Sequence, residues 1–462
     1  MTKFFLPALL VLHLLLLSRL IFTAWPEMLA YPYLFTSGFS LYKDFIFPYP
    51  PGLVWLLAVV FNFFDYQVEV LNVLTWGMIL GIDIILYFIL KRITASLFIS
   101  LFFLGIFIFL QSFLEGNMLW FDLATVLPLL LGFYFALQWL EKKEIKNLFL
   151  TGLFLGLAIM IKQTALLYSV SFVFFYILTI KRINLKELVL LALGPLLLVI
   201  PLLIYVIVSE SMSHFLNWTL VYPLTQWSKF PGYVDFLISK RYLLVTLLLL
   251  IPLGGAILSG KQLLKDKCFL LTLLFLVAAL IAIYPRFSFF HLQPAIALSV
   301  ILFAKISMEI PPKLRLKYRI FLVLVVFISS VLAAKMTWGE GIRFYGSDDQ
   351  RITPKIVSEV KAGEKVFFLG VNASQYVFAG RLPPKRWSDN FGWYLEIPGV
   401  QEWVIEGLKE DPPRKVIWRV PSEGSWYKLG VYQPQKITEY LRSNYRKTGK
   451  IEEGIQVWTK KD

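Results

Sequence analysis

Two acidic residues in one short stretch of this sequence could do acid–base chemistry. Asp44 lies in GFSLYKDFIFPYPPG (residues 38–52), where Lys43 precedes it and three prolines and several aromatic residues follow it. Glu27 lies upstream in the same predicted loop. A carboxylate at a membrane surface can remove the proton from an acceptor hydroxyl. The Pro48–Pro51 run restricts φ and removes backbone donors, so it predicts a stiff, extended path after Asp44.

Basic and acidic residues farther along the chain could hold a phosphate. Lys162 lies in MIKQTA, and Arg286 and His291 lie in YPRFSFFH. Glu115 and Asp122 of EGNMLWFD add two second-loop acids. Lysine and arginine beside a leaving phosphate offset its developing charge, so these residue types favour group transfer from a lipid phosphate.

The elements that must position these residues are membrane helices. The chain of 462 residues is 58% hydrophobic with a mean hydropathy of +0.69. A soluble domain is about 45–50% apolar, and many runs here approach the roughly 20 residues that cross a bilayer. The formal charge is +15, but much of the lysine and arginine lies in short loops that orient spans, so we predict no nucleic-acid partner. One cysteine excludes a disulfide framework, and three distant histidines form no metal-binding pattern.

The apolar runs predict about eleven transmembrane helices, the first retained as an anchor rather than cleaved. Residues 53–65 are too short to span comfortably and are predicted to lie in the interface. With that choice Lys91 and Arg92 fall inside, and the N-terminus is cytoplasmic. The spans are expected at Phe4–Ala24 and at about 70–90, 95–113, 119–139, 148–162, 164–180, 187–208, 242–259, 268–284, 289–306 and 319–337.

The composition changes after Trp338, which predicts two domains. Residues 1–338 would form the transmembrane catalytic domain, with a first outer loop at 25–69, and residues 339–462 a small extracytoplasmic α/β domain. Strands are expected at 365–370 and 415–420, amphipathic helices at 400–411 and 435–445, and a hairpin at 447–460. On this map the acids and bases named above converge on the outer membrane face.

The loop Gly-x-x-Leu-Tyr-Lys-Asp-Phe, followed by Pro-x-Pro-Pro-Gly, resembles the GT-C superfamily of membrane glycosyltransferases. The likeness is greatest to the branch related to protein O-mannosyltransferases and lipid A aminoarabinose transferase. TGLFLGLAIMIKQTALL (151–167) resembles that group's Gly-x-x-x-Gly-x-Ala-x-x-x-x-Lys segment. The resemblance covers roughly residues 1–300 and implies a GT-C-like fold in the cell or plasma membrane.

The resemblance also implies a reaction: inverting transfer of a sugar from a polyprenyl-phosphate donor to a glycan, lipid or protein acceptor at the outer face. A first-loop acid would be the base, often within an Asp-Glu pair. Here that place reads Trp25-Pro26-Glu27, so the first acid is missing and both Asp44 and Glu27 are candidates, with Asp44 favoured by its sequence context. Lys162 would bind the donor phosphate, and Arg286 and His291 are further candidates for that role.

Two alternatives stay open at this point. A divalent metal is used by some relatives, and Asp44 with Glu115 or Asp122 could supply oxygen ligands to Mg²⁺ or Mn²⁺, so the metal is left unassigned. A transporter or lipid flippase without glycosyl transfer is the other reading, because the short spans around Lys162 look like broken transporter helices.

Overall fold

The structure is a computed structural model that describes residues 4–180, 184–234, 263–284, 286–420 and 433–462. The predicted span at 242–259 lies outside the described residues. Within them the apolar runs form helices, because only a helix satisfies its own backbone hydrogen bonds in an apolar surrounding. Most of the strands lie in the more polar residues after Trp338, and the two-residue strand at Phe22–Thr23 is the exception among the described residues.

The elements of the first half are almost all helical. The helices are α1 Phe5–Leu17, α2 Glu27–Thr36, α3 Gly52–Phe64, α4 Val68–Thr94, α5 Leu97–Gln111, α6 Phe121–Lys142, α7 Ile145–Ile161, α8 Leu166–Thr179, α9 Leu185–Val208, α10 Met212–Leu216 and α11 Tyr222–Thr225. Strand β1 is Phe22–Thr23, π-helical turns are Ser112–Gly116 and Asn217–Val221, and 3₁₀ turns are Gln163–Ala165 and Trp227–Lys229.

The second half begins with long helices and ends with a sheet. The helices are α12 Lys267–Ile281, α13 Gln293–Glu309, α14 Pro312–Thr337, α15 Ser347–Glu359, α16 Ser374–Phe378, α17 Gly392–Leu395, α18 Val400–Glu410 and α19 Gln435–Asn444. The strands are β2 Ile342–Arg343, β3 Val366–Leu369, β4 Lys415–Arg419, β5 Tyr445–Glu452 and β6 Ile455–Lys460, with 3₁₀ turns at Leu263–Lys265 and Phe289–Leu292.

Six helices among the described residues are long and apolar enough to cross a membrane: Val68–Thr94, Leu97–Gly116, Phe121–Lys142, Leu185–Val208, Phe289–Glu309 and Pro312–Thr337. Shorter apolar helices are Phe5–Leu17, Gly52–Phe64, Ile145–Ile161, Gln163–Thr179 and Lys267–Ile281. The prediction of a polytopic helical membrane protein is therefore confirmed. The count of about eleven spans, their orientation and the interfacial position of 53–65 stay predictions.

The first helix is shorter than the sequence predicts. It ends at Leu17, whereas the predicted span continued to Ala24. The chain then becomes extended, because its backbone finds partners outside the helix: Ile21 N–H donates to Thr337 O at 2.8 Å, and Thr23 N–H donates to Asn117 O at 3.1 Å. The apolar run alone does not reveal these partners.

The chain divides into two compact units. The first comprises residues 1–23, 72–201 and 236–341, and the second comprises 24–71, 202–235 and 342–462. The core of the first unit is a continuous set of buried apolar residues from α5, α6, α12 and α13. Helix α13 is apolar on all sides and buried almost throughout, as expected for a central helix of a bundle.

Helices α7 and α9 approach each other through glycines. A Cβ atom on Gly194 would lie 2.2 Å from Leu153 N, and one on Gly152 would lie 2.0 Å from Leu191 O. Small residues let membrane helices pack backbone against backbone, because lipid supplies no hydrophobic drive for their association. Helix α7 ends at Ile161 and Lys162 is its C-terminal cap, so this contact fixes the helix that positions the Lys162 side chain.

The second unit contains a four-stranded sheet in the order β3-β4-β6-β5. Strand β3 pairs parallel with β4, and β4, β6 and β5 pair antiparallel. The predicted strands, hairpin and two amphipathic helices of the C-terminal residues are thus observed with small shifts at their ends. These residues cluster with the first-loop residues 24–71 in one unit. The predicted domain boundary at residue 338 stays a prediction.

We expect Gly194→Ala to lower the unfolding midpoint of the detergent-solubilised protein, because the added methyl group meets the backbone of α7. Overpacking of this kind costs about 1–3 kcal/mol. Gly105→Ala in α5 is the matched control, since a Cβ atom there meets nothing within 4 Å. Its midpoint should be unchanged or slightly higher. Equal midpoints for both variants in a thermal-shift assay would contradict the close α7–α9 contact.

Candidate active site

Three predicted site residues meet in the first unit. Asp122 lies in the first turn of α6, Lys162 is the C-terminal cap of α7, and His291 lies in the 3₁₀ turn before α13. Lys162 Nζ is 2.7 Å from Asp122 Oδ1, and His291 Nδ1 is 2.7 Å from Asp122 Oδ2. One carboxylate therefore joins a lysine and a histidine from two other elements.

The side chains of Asp122, Lys162 and His291 are almost entirely buried. The exposed fractions of the side chains are 5% for Asp122, 11% for Lys162 and 15% for His291. Burying an ion costs several kcal/mol unless a partner and hydrogen bonds compensate, so the ammonium requires the carboxylate. The ionised carboxylate can only accept, so Nδ1 of His291 must carry the proton in this contact.

Arg286 and Glu115 belong to neighbouring segments of the same unit. Arg286 precedes His291 by five residues and is close enough to interact with it electrostatically. Glu115 lies in the π-helical turn after α5, in the left-handed region at φ 53°. The same turn is held from α13, where Gln293 Nε2 donates to Leu114 O at 2.8 Å.

Asp44 makes its contacts within the second unit. Its Oδ2 accepts from Ser40 N at 2.8 Å and from Lys385 Nζ at 2.9 Å. Its backbone N–H donates to Ser40 O at 2.9 Å, which closes the turn around the carboxylate. The side chain is 14% exposed, so Asp44 is held in a defined, partly buried ion pair.

The turn before Asp44 is strained and fixed. Tyr42 has φ 72°, which is uncommon for an aromatic residue, and its hydroxyl donates to Tyr49 O at 2.9 Å. Strained backbone of this kind persists where the surroundings over-determine it and is common at functional sites. The Tyr42 side chain therefore holds the start of the extended proline segment that the sequence predicts.

Glu27 is the more deeply buried first-loop acid. It begins α2, is 3% exposed, and its Oε2 has no hydrogen-bond partner among the described residues. Burial and the neighbouring Asp389 raise the pKa of Glu27 to about 8. Burial likewise raises the pKa of Asp389 to about 6, although the Asn390 N–H donates to its Oδ1 at 2.8 Å.

The structure thus gathers the predicted residues into two groups, one in each unit. Asp122, Lys162 and His291 contact one another, and Glu27 and Asp44 lie in the other unit. Sequence reasoning missed the C-terminal residues Lys385 and Asp389, which accompany the two first-loop acids. More than 300 positions separate Lys385 from Asp44 and Asp389 from Glu27. The sequence KRWSDN at residues 385–390 contains no pattern that indicates contact with residues 27 or 44.

The described part of the chain contains no group of three or more His, Cys, Asp or Glu residues that could hold a metal ion. The sequence left a divalent metal unassigned, and it stays so.

The sequence matches the family described as "Dolichyl-phosphate-mannose-protein mannosyltransferase" over residues 48–205. That segment includes Asp122 and Lys162 and covers about a third of the chain. No curated protein matches the chain in sequence.

Two solved structures are similar in fold. The crystal structure of ArnT from Cupriavidus metallidurans bound to undecaprenyl phosphate has a TM-score of 0.63 at 8% identity, over 99% of this chain and 97% of that one. The oligosaccharyltransferase AglB from Archaeoglobus fulgidus, in complex with an inhibitory peptide and a dolichol-phosphate, has a TM-score of 0.54 at 10% identity, over 100% and 74%. The predicted resemblance to GT-C membrane glycosyltransferases of the protein mannosyltransferase type is confirmed.

We expect Asp122→Ala to destabilise the protein by about 3–5 kcal/mol, because it leaves a buried ammonium without its partner. The double variant Asp122→Ala/Lys162→Met should recover part of that loss, since it removes the stranded charge. Glu340→Ala is the control, because Glu340 pairs with Arg19 in an exposed position. Unfolding midpoints in detergent measure these variants and the single variant Lys162→Met. A double variant whose loss of stability equals or exceeds the sum of the two single-variant losses would contradict the ion-pair account.

Proposed function

We propose that the protein is an integral-membrane glycosyltransferase that moves a sugar from a polyprenyl-phosphate donor to a hydroxyl group of a glycan, lipid or protein. The observation that carries this proposal is the buried Lys162–Asp122–His291 cluster, two members of which lie in the segment that matches the mannosyltransferase family. The lipid phosphates named with ArnT and AglB support a lipid-linked donor.

The phosphate would bind at Lys162 and His291. Asp122 orients both side chains, and Arg286 adds a positive charge near His291. Electrostatic attraction in a water-poor site is strong, which suits a group that must stabilise a leaving phosphate.

For the general base we propose Glu27 rather than Asp44, although the sequence context favoured Asp44. Asp44 already accepts two hydrogen bonds through Oδ2, one of them from an ammonium group. Glu27 has an oxygen without a partner among the described residues, and its raised pKa makes the ionised form a stronger proton acceptor. We assign Asp44 a structural role in holding the turn.

The reaction balances with these groups alone. The acceptor oxygen forms a bond to C1 of the sugar while the bond from C1 to the phosphate oxygen breaks. Glu27 takes the acceptor proton, and the polyprenyl phosphate leaves with both electrons of the broken bond. Attack opposite the leaving group inverts C1. We place this chemistry at the outer membrane face, with the N-terminus cytoplasmic and the C-terminal residues outside.

We expect Glu27→Gln to lower kcat by about 10²- to 10⁴-fold with little change in KM, because the amide cannot accept the proton. Asp44→Asn is the matched control in the same loop and should retain most of the rate. Release of labelled sugar from a panel of undecaprenyl-phosphate sugars measures both. An inactive Asp44→Asn beside an active Glu27→Gln would reverse the assignment.

Lys162→Met should weaken binding of undecaprenyl phosphate by about 10- to 100-fold, the value of a hydrogen bond to a charged group. Lys305→Met is the control, because Lys305 forms a comparable pair with Asp266 at 2.8 Å near the opposite end of α13. Native mass spectrometry of the purified protein reports binding without knowledge of the sugar. Equal binding by both variants would remove Lys162 from the phosphate site.

The transporter reading is tested in the same experiments. A protein that moves the lipid across vesicles, but releases no sugar from any donor with any acceptor supplied, would be a flippase. Sugar release that depends on Glu27 would exclude a flippase without chemistry.

A further inference from the structure

A segment of the C-terminal region, here called the strap and comprising residues 385–389, runs beside the first loop. Trp387 N–H donates to Asp44 O at 2.9 Å, and Ile46 N–H donates to Trp387 O at 3.0 Å. Phe45 and Trp387 form the corresponding parallel bridge. These two bonds fix the register of the strap along residues 44–46, so the positions of its two ends are also fixed.

The strap is packed against α2 through Trp387. This side chain is 2% exposed, and its ring centroid lies 6.4 Å from that of Tyr31. Tyr31 follows Glu27 by four residues on α2, and residues at this spacing share one face of a helix. Tyr31 also contacts Phe47, with ring centroids 5.4 Å apart. The helix, the first loop and the strap therefore share one aromatic core on the side of Glu27.

The strap is anchored on its other side to α18. Arg386 contacts Glu406 and Glu410 at 2.5 and 2.8 Å. Gly407 lets the strap approach closely, because a Cβ atom there would lie 2.3 Å from Lys385 O. Arg386 itself is in the left-handed region at φ 64°. The C-terminal residues hold this segment in a conformation that it would not adopt alone.

Both ends of the strap carry a charged side chain to a first-loop acid. Lys385 Nζ contacts Asp44 at 2.9 Å. Asp389 lies close enough to Glu27 for their charges to interact, and both are buried. Among the described residues, the hydroxyls of Tyr31 and Tyr394 interact with both acids, and that of Tyr376 interacts with Asp389. Asp389 thus places a second carboxylate beside the acid to which we assign the base role.

We propose that Asp389 is a positioning residue of the reaction, which acts through Glu27 by setting how strongly that carboxylate holds a proton. This inference rests on the proposed function. It gives the C-terminal region a role in the chemistry itself. Two nearby carboxylates cannot both ionise easily in a water-poor site, so the charge on Asp389 makes ionised Glu27 a better proton acceptor.

The repulsion between the carboxylates of Asp389 and Glu27 determines how the rate should depend on pH. Glu27 must be ionised to act as a base, so the rate should rise with pH through about 8. Asp389→Asn removes the opposing charge, so the rising limb of kcat/KM should move to lower pH, although not to the pH of an exposed glutamate, because burial is the larger cause of the raised pKa. The plateau rate should fall severalfold, because a weaker base accepts the proton less readily.

Lys385→Met is the matched control, since it alters the same strap without a carboxylate next to Glu27. It should leave the position of the limb unchanged. A structural role alone for Asp389 would lower the rate at every pH and leave the limb in place, which would overturn the proposal. A limb that Lys385→Met moves as far as Asp389→Asn does would also overturn it.

A second measurement separates this inference from the proposed function. The raised pKa of folded Glu27 means that the folded state binds more protons than the unfolded state between about 4.5 and 8. Stability should therefore fall as pH rises through that window. In thermal unfolding the part of this fall above about pH 6, where Asp389 is already ionised, should be smaller for Asp389→Asn and for Glu27→Gln than for the natural protein. An unchanged fall in Asp389→Asn would refute the coupling even if transfer activity is absent.

Discussion

The first unit depends on one buried carboxylate. Asp122 is the only partner that the described residues give to the ammonium of Lys162, and it also fixes the ring of His291. An unpaired charge in such surroundings would cost several kcal/mol, so the ends of three elements must meet within hydrogen-bond distance. The glycine contacts between α7 and α9 serve the same constraint, because they hold the helix that Lys162 caps.

The second unit places its two first-loop acids, Glu27 and Asp44, in different surroundings. Its acids are gathered outside the long apolar helices, where the first loop, residues 202–235 and the C-terminal residues form one compact body. Asp44 is neutralised by Lys385, whereas Glu27 is placed near another acid. The pairing of Asp44 with Lys385 stabilises a turn. The placement of Glu27 near another acid disfavours the ionised state of Glu27 and is characteristic of groups that transfer protons.

Much of the local structure followed from sequence patterns. The apolar runs predicted the helices at 70–90, 119–139 and 268–284 to within a few residues, because hydrophobic length and period are properties of the local sequence. The first span was predicted too long, since its end is set by backbone bonds to residues 117 and 337. The segment before Lys162 lies inside the family match at residues 48–205, whereas Asp44 and the residues before it lie outside that match.

The sequence by itself determined the class of the molecule, its helical elements and the residue types available for phosphate and proton chemistry. Only the tertiary structure decided that Asp122 holds Lys162 and His291, and that Lys385 and Asp389 lie beside the two first-loop acids. The physical reason is the range of the forces. Hydropathy and helix formation act over a few residues, whereas ion pairing and desolvation depend on distances that folding alone establishes between remote positions.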